Sequence, residues 1–524
     1  MTVDFTPLRY IIAWIPVLLI LVGMVFFRMS ATKTGLASWI LGCILAMLFF
    51  GFDFMATTLA TAKGTLLAFD IMVIIGGALF LYFVVETSGA IEKIKWSIIG
   101  LTKDRLMQVL LIAVGFAGFL HGIAGFGVPP AVTAPILMAL GFSAMDACLL
   151  TLIGYSSYMV WGTWGVGPTT GASLTNIPIA NLVPTIGVLE APLWFMEPIL
   201  GIWLVMGMAT LKKYWVPIVV QSAVGTSVML ILSIGFRMPE FIGWMSGAAA
   251  MFTSYLFTRS EKYKGNDQAA FAPIAGGSQA AALQGGYTGS MGLFRAIFPY
   301  LLVIAVLFPI KVWVPLNTAL NSVVISIGLG GAAGTWAWKP LTQIGVLLAV
   351  CSVVGGLVQG LDGKGFATAV KKTMVPFVPS AIACFGFLTM SEVLNESQMM
   401  KILAIGTAAI VGGLVYPFVA PFVGWMGCVI TGSGVSTNIL FARFQQDMAG
   451  QLNQDQILYV ATNNSGGGAS SMSTPNKIIP AAAITGLLGK EGEVMRRTIP
   501  ISLALTALVG VITWIMAFFV GHVG

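Results

Sequence analysis

The residues that could do chemistry in this chain cluster at glycine breaks. His121 stands inside an apolar run, directly before Gly122-Ile123-Ala124-Gly125-Phe126-Gly127-Val128-Pro129-Pro130. An imidazole there can carry a proton or hydrogen-bond a substrate oxygen, and a satisfied core histidine is the plain alternative. A second break, Gly432-Ser433-Gly434-Val435-Ser436-Thr437-Asn438, offers hydroxyl and amide groups where a helix should restart. A restarting helix presents free N–H groups and its positive dipole end, which suits a carboxylate. Asn463, Asn464 and Ser465 precede Gly466-Gly467-Gly468 and supply donors and acceptors at a further expected break. Asp70 interrupts the apolar run 66–85, so its carboxyl reads as a proton site or an ion-pair partner. Arg443, two turns past the second break, can clamp an anion or snorkel outward beside Gln445, Gln446 and Asp447; its position favours the snorkel. Glu86 is expected at an interface, and Glu190 and Glu197 read as boundary residues of a span.

The elements that carry these groups must be membrane helices. Of 524 residues 57% are hydrophobic and 9% charged, with a mean hydropathy of +0.94, which excludes a water-soluble globule. The net charge of +7 resides in short loops and not in a patch for nucleic acid. The five cysteines are scattered through apolar runs, with no pairing or zinc spacing. The segment 10–27 reads as a retained first span and not as a cleaved leader. Apolar stretches, among them 145–160, 319–338 and 341–359, predict an all-α polytopic membrane protein of about 12–14 transmembrane helices. The polar stretch 259–290 reads as a cytoplasmic linker between two transmembrane halves, 1–258 and 291–524.

The halves share a pattern. Gly125, Gly127 and Val128 align with Gly432, Gly434 and Val435 at an offset of 307 positions, and Pro168 then falls on Pro475. Broken spans are expected at Trp161–Pro168 and Asn463–Ser470. Paired interrupted segments point to a secondary transporter of two pseudo-symmetric, inverted repeats, with re-entrant hairpins and broken helices around the substrate. Close helix packing through small residues is the competing explanation of the glycines. No catalytic set such as His-Glu-x-x-His is present, so the chain is not expected to be an enzyme.

The chain resembles the lactate permeases, bacterial carriers that couple lactate and glycolate to protons. The resemblance rests on Gly118–Pro130, on Gly432–Phe441, on Ala461–Gly467 with Met472–Asn476, and on Gly486–Glu491, which occur in the family's order along nearly the whole chain. It implies a multi-pass protein of the bacterial inner membrane that moves a small 2-hydroxy monocarboxylate by proton symport, with no bound cofactor. The substrate-binding set is then Gly125, Gly127, Ser433, Gly434, Ser436, Thr437, Asn438, Asn463, Asn464, Ser465 and Arg443, and His121 with Asp70 handles the proton. Where the family commonly has a glutamate before its glycine motif this chain has His121, and Arg443 replaces a small or apolar residue. Both departures point toward a different organic acid, a dicarboxylate or sulfonate, as the alternative cargo. Sodium coupling is the alternative to protons, since Ser, Thr and Asn at broken helices also hold Na⁺.

Overall fold

The computed structural model describes residues 5–25, 27, 29–99, 101–125, 128–263, 289–329 and 335–523. Most of the expected linker, 264–288, lies outside the described residues, as does Gly127. Among the described residues ten helices are long and apolar enough to cross a membrane, and three further apolar helices are shorter. The chain is thus an all-α polytopic membrane protein as expected, with ten long spans described where 12–14 crossings were expected and several apolar stretches forming short helices. One predicted span is of another kind. The stretch 319–338 contains the end of a short helix and two strands, β1 (Ile325–Gly328) and β2 (Thr335–Trp338), paired antiparallel with Ile325 opposite Trp338. Its β-branched and aromatic residues favour a pleated surface over a helix.

The chain forms two compact units. The first comprises Met1–Lys95 and Gly289–Val411, the second Trp96–Thr288 and Gly412–Gly524. Each therefore draws on chain from both sides of the linker.

In the first unit α1 (Pro7–Val25) packs on α2 (Ala31–Phe49), and α3 (Phe54–Thr87) is followed by α4 (Ala90–Ile99). Past the second unit's helices of the first half, α12 (Leu293–Val312), α13 (Val314–Asn321), the hairpin, α14 (Ile344–Gln359) and α15 (Gly363–Glu396) return to it. The packing is symmetric: α2 lies on α15, α14 on α3, and α3 on α15. Residues 309 or 310 positions apart play matching parts. Asp53 caps α3 by accepting from the Ala56 amide at 2.6 Å, and Asp362 caps α15 by accepting from Gly365 at 2.7 Å. Lys63 of α3 pairs with Glu396 of α15 at 2.6 Å, and Lys372 of α15 pairs with Glu86 of α3 at 2.8 Å. Gly89 and Gln398, one after each helix, both take positive φ.

Each of these ion pairs joins an early lysine to a late glutamate, so α3 and α15 run antiparallel. Equivalent antiparallel helices are related by a two-fold axis across their length, which is the inverted arrangement expected for a transporter of this class. Two glycine crossings obey the same relation. A Cβ on Gly77 would meet the Gly345 carbonyl oxygen at 2.1 Å, and one on Gly386 would meet the Gly35 carbonyl carbon at 2.6 Å. Backbones approach there with no side chain between them.

The second unit holds α5 (Arg105–Ile123), with a π-helical stretch at Leu110–Phe116, then α6 (Val128–Ala139), α7 (Ala144–Gly154) and α8 (Gly162–Thr175). It continues with α9 (Ile179–Lys213), α10 (Trp215–Phe236) and α11 (Pro239–Thr258). From the second half come the end of α16 (Met399–Thr431), kinked at Gly412, then α17 (Gly434–Gln451), α18 (Gln456–Ser470), α19 (Pro475–Thr485) and α20 (Glu491–Phe519). Replacing Gly77 by Ala puts a methyl group onto the Gly345 backbone, and overpacking of this kind costs about 1–3 kcal/mol or more. Gly77→Ala is expected to lower the melting temperature of the detergent-purified protein by several degrees. Gly363→Ala, whose Cβ would meet nothing within 4 Å, leaves it unchanged.

Candidate functional site

Both expected glycine turns are present in the second unit. Between α5 and α6 Gly125 has φ +61°, and between α16 and α17 Gly432 has φ +76°. Left-handed backbone of this kind costs little only without a Cβ. Ser433 then caps α17, its hydroxyl accepting from the Ser436 amide at 3.4 Å, while the Asn476 amide donates to the Thr431 carbonyl at 3.0 Å. A small cavity of about 40 Å³ opens between the turns, lined by His121, Gly125, Met159, Gly162, Thr163, Val166, Gly167, Gly432, Ser433, Gly434, Val435 and Lys477.

The break expected at Trp161–Pro168 forms part of its wall. Thr163, Trp164 and Gly165 in succession take φ of 52°, 59° and 71°, after which right-handed helix resumes at Val166. Left-handed backbone costs about 1–2 kcal/mol at each residue that carries a Cβ, so the turn is held by its surroundings. Trp164 is buried, and the Thr163 hydroxyl reaches the Ala124 carbonyl at 3.5 Å. Val166 and Gly167 thus bring the positive end of a helix to the cavity. So does α17: the amides of Gly434 and Val435 precede the first intrahelical bond, from Thr437 to the Ser433 carbonyl. The first hairpin differs. Pro129 and Pro130 open α6 and have no N–H to offer, so this hairpin supplies a wall and no anion-binding terminus.

Lys477, which the sequence reading passed over, is the charge at the site. It is 3% exposed, its ammonium donates to the Ser471 hydroxyl and lies 5.5 Å from the centre of the Tyr155 ring. Among the described residues it has no carboxylate within 4 Å. The signal was a lysine between Pro475 and the apolar Ile478-Ile479, inside a segment already read as broken. His121 stands beside it, also 3% exposed, with its ring 5.0 Å from that of Tyr155. Its Nδ1 has no partner among the described residues. A Cβ on Gly162 would meet its Nε2 at 2.7 Å, so this glycine gives the ring its room.

The asparagines expected to bind substrate are joined to one another. Asn438 donates to the Gly167 carbonyl at 3.0 Å and to Asn464 at 2.7 Å, and accepts from Asn463 at 3.0 Å. Asn464 donates in turn to the Val460 carbonyl at 2.9 Å. The network ties the broken α8 to α17 and α18, and none of the three lines the cavity. The expected break at Asn463–Ser470 is corrected: α18 runs unbroken to Ser470, and the interruption is the 3-10 turn Ser471–Ser473. The glycines before it serve close packing, Gly466 against the Pro421 carbonyl and Gly468 against Glu190.

Ser433 and Gly434 line the cavity. The Thr437 hydroxyl returns to the Ser433 carbonyl at 2.8 Å, Ser436 is half-buried outside the wall, and Ser465 lies beside Glu190. Arg443 does not snorkel. It is 6% exposed, and its Nε donates to the Leu174 carbonyl at 2.7 Å while Gln446 donates to Thr175 at 2.9 Å, so the pair closes the C-terminus of α8. Asp70 belongs to the first unit, where it accepts from the Trp336 indole at 3.0 Å and from Gln343 at 3.3 Å. Glu190 and Glu197 are not boundary residues: both face the interior from within α9, 0% and 2% exposed. The prolines around them, Pro184, Pro192 and Pro198, suggest an end but are carried inside the helix.

A family model for L-lactate permease matches residues 9–520. The chain is 28% identical to the L-lactate permease of Bacillus subtilis over 96% of its own length and 95% of that protein. It is 27% identical to the glycolate permease GlcA of Escherichia coli over 98% and 96%. The crystal structure of the YdaH transporter of Alcanivorax borkumensis overlaps 86% of each chain at 16% identity with a TM-score of 0.44. A multi-pass membrane protein whose family model spans it almost end to end, this chain belongs to the L-lactate permease family.

Proposed function

We propose that the chain carries a small 2-hydroxy monocarboxylate of the lactate and glycolate class across the membrane by proton symport, and that the cavity of the second unit is its substrate site. One observation carries the reading: a buried ammonium, Lys477, opens onto a cavity where two helix N-termini also converge. A lone cation in hydrocarbon is expensive unless an anion joins it. The substrate carboxylate lies between Lys477 and the amides of Gly434 and Val435, facing the α8 terminus at Val166. The 2-hydroxyl lies toward His121 and Thr163, which flank Gly125. Asn438, Asn463 and Asn464 hold the broken α8 against α17 so that the two termini keep their aim. The names of the relatives, L-lactate and glycolate permeases, support the substrate class.

In proteoliposomes, L-lactate is expected to accumulate against its gradient when protons are driven inward, and to do so equally in sodium and potassium media. Uptake indifferent to the proton gradient contradicts symport, and dependence on sodium points to the other coupling ion.

Removing a buried charged partner costs about 2–5 kcal/mol, and each 1.4 kcal/mol is about tenfold in affinity. Lys477→Met is therefore expected to weaken lactate binding at least about 30-fold, measured by calorimetry on the purified protein. His121→Ala is expected to erase the preference for L-lactate over propionate, which lacks the hydroxyl. A preserved preference removes His121 from the hydroxyl pocket.

A further inference from the structure

Two carboxyl groups take no part in the site as described. Glu190 and Glu197 are seven residues apart on α9, two turns, and so share one helix face. Glu197 accepts from the Ser157 amide at 2.8 Å through Oε2, and its Oε1 has no hydrogen-bond partner among the described residues. Glu190 faces Ser465, Trp194 and Gly468, and neither of its oxygens has such a partner. Both are sealed from solvent. Lys477 packs on the Tyr155 ring, two residues before the Ser157 amide that holds Glu197, so the ammonium and this carboxyl flank one short turn of chain. The same lysine borders the cavity, so Glu197 and the substrate site share one cation.

The other titratable groups on elements packed against α9 are few. Tyr158 feels the charge of Glu197, Tyr155 and Cys148 lie near each other on the α7 side, and Asp146 sits in the first turn of α7. The α8 segment and α10 carry no acid or base, the latter facing inward with Gln221. Tyr459 is the ring on α18. The charges of α20, Glu491, Glu493, Arg496 and Arg497, sit in its first two turns, where the Arg497–Glu493 pair is nearly half exposed. The field at Glu197 is therefore governed by Lys477 and by its neighbour acid.

We infer that Glu197 is the proton-binding group of the transport cycle, coupled to the substrate through Lys477, with Glu190 as a neutral companion. The inference rests on the reading of the cavity as a monocarboxylate site. An ion in this interior is tolerated only when it is balanced, and one lysine balances one negative charge. With the cavity empty that charge is the Glu197 carboxylate. A bound carboxylate brings a second negative charge to the same ammonium, and neutrality is restored when a proton from water forms an O–H bond on Glu197. The proton is returned to water on the far side when the anion leaves. Glu190, with no cation of its own, keeps its proton throughout. One proton accompanies one monocarboxylate. By linkage, protonation of Glu197 tightens anion binding by the same factor that the anion favours protonation.

The test uses purified full-length protein and L-lactate. In the wild type, affinity is expected to weaken by up to about tenfold per pH unit toward alkaline pH, and lactate is expected to raise a protonated-carboxyl C=O band in the infrared difference spectrum. In Glu197→Gln the band is absent, affinity no longer follows pH, and the proton gradient no longer drives accumulation. A wild-type spectrum without the band overturns the inference whether or not the variant folds. A band and a pH dependence that persist in E197Q overturn it alone and leave the substrate site standing. Wild-type protein that binds no lactate at any pH defeats the reading of the cavity, and this inference with it.

Discussion

Hydrocarbon offers no hydrogen bonds, and the second unit is arranged around that fact. Each broken backbone or buried charge must be answered from within the protein or by what it binds. The answers come from distant chain. Asn438 meets the Gly167 carbonyl, Asn476 meets Thr431, Arg443 meets Leu174 and Gln446 meets Thr175. The amides that open α17, the His121 ring and the ammonium of Lys477 meet at one cavity, where a bound anion can answer them together.

Symmetry provides the frame and the site departs from it. In the first unit, Lys63–Glu396 and Lys372–Glu86 are the same contact made twice with donor and acceptor helices exchanged. In the second unit the matched turns at Gly125 and Gly432 keep the backbone relation, while the chemistry after them diverges. One is followed by two prolines, which withhold donors, and the other by a serine cap and two free amides. The break of α8 is a left-handed turn, whereas its counterpart before α19 is a 3-10 turn. An inverted pair of repeats can present its site alternately to either side, but an asymmetric acid needs asymmetric contacts. The two requirements are met at different levels, by the backbone and by the side chains.

Much of this was legible in the sequence, because glycine pairs and apolar runs report local backbone needs. The turns at Gly125 and Gly432 and the break at Trp161–Pro168 fall where the spacing put them. The failures share a cause: they depend on contacts far away in the chain. Gly466–Gly468 looks like a break, and is instead a surface that lets α18 lie against Pro421 and Glu190. Arg443 has the reach to snorkel, and it turns inward onto Leu174, 269 residues earlier. Glu190 and Glu197, set among prolines, look like the end of a span until the helix is seen to continue through them. The strand pair at 325–338 shows the reverse error, where hydrophobicity was read as a span although the β-branched residues favoured strands.

The histidine at position 121 follows from the same charge accounting. The resemblance to lactate permeases places a glutamate before the glycine motif. A carboxylate there would stand at the cavity wall beside Lys477 and compete directly with the substrate for its charge. Histidine removes that competitor and leaves a hydrogen-bonding group in its place. On the proposed reading, the negative charge that balances Lys477 in the empty site comes from elsewhere, and α9 presents it from behind the wall, where Ser157 orients it. Moving the acid out of the cavity separates the two tasks of the site. In the proposed cycle the wall recognises the hydroxy acid, and the buried face of α9 keeps the count of charge as the acid comes and goes.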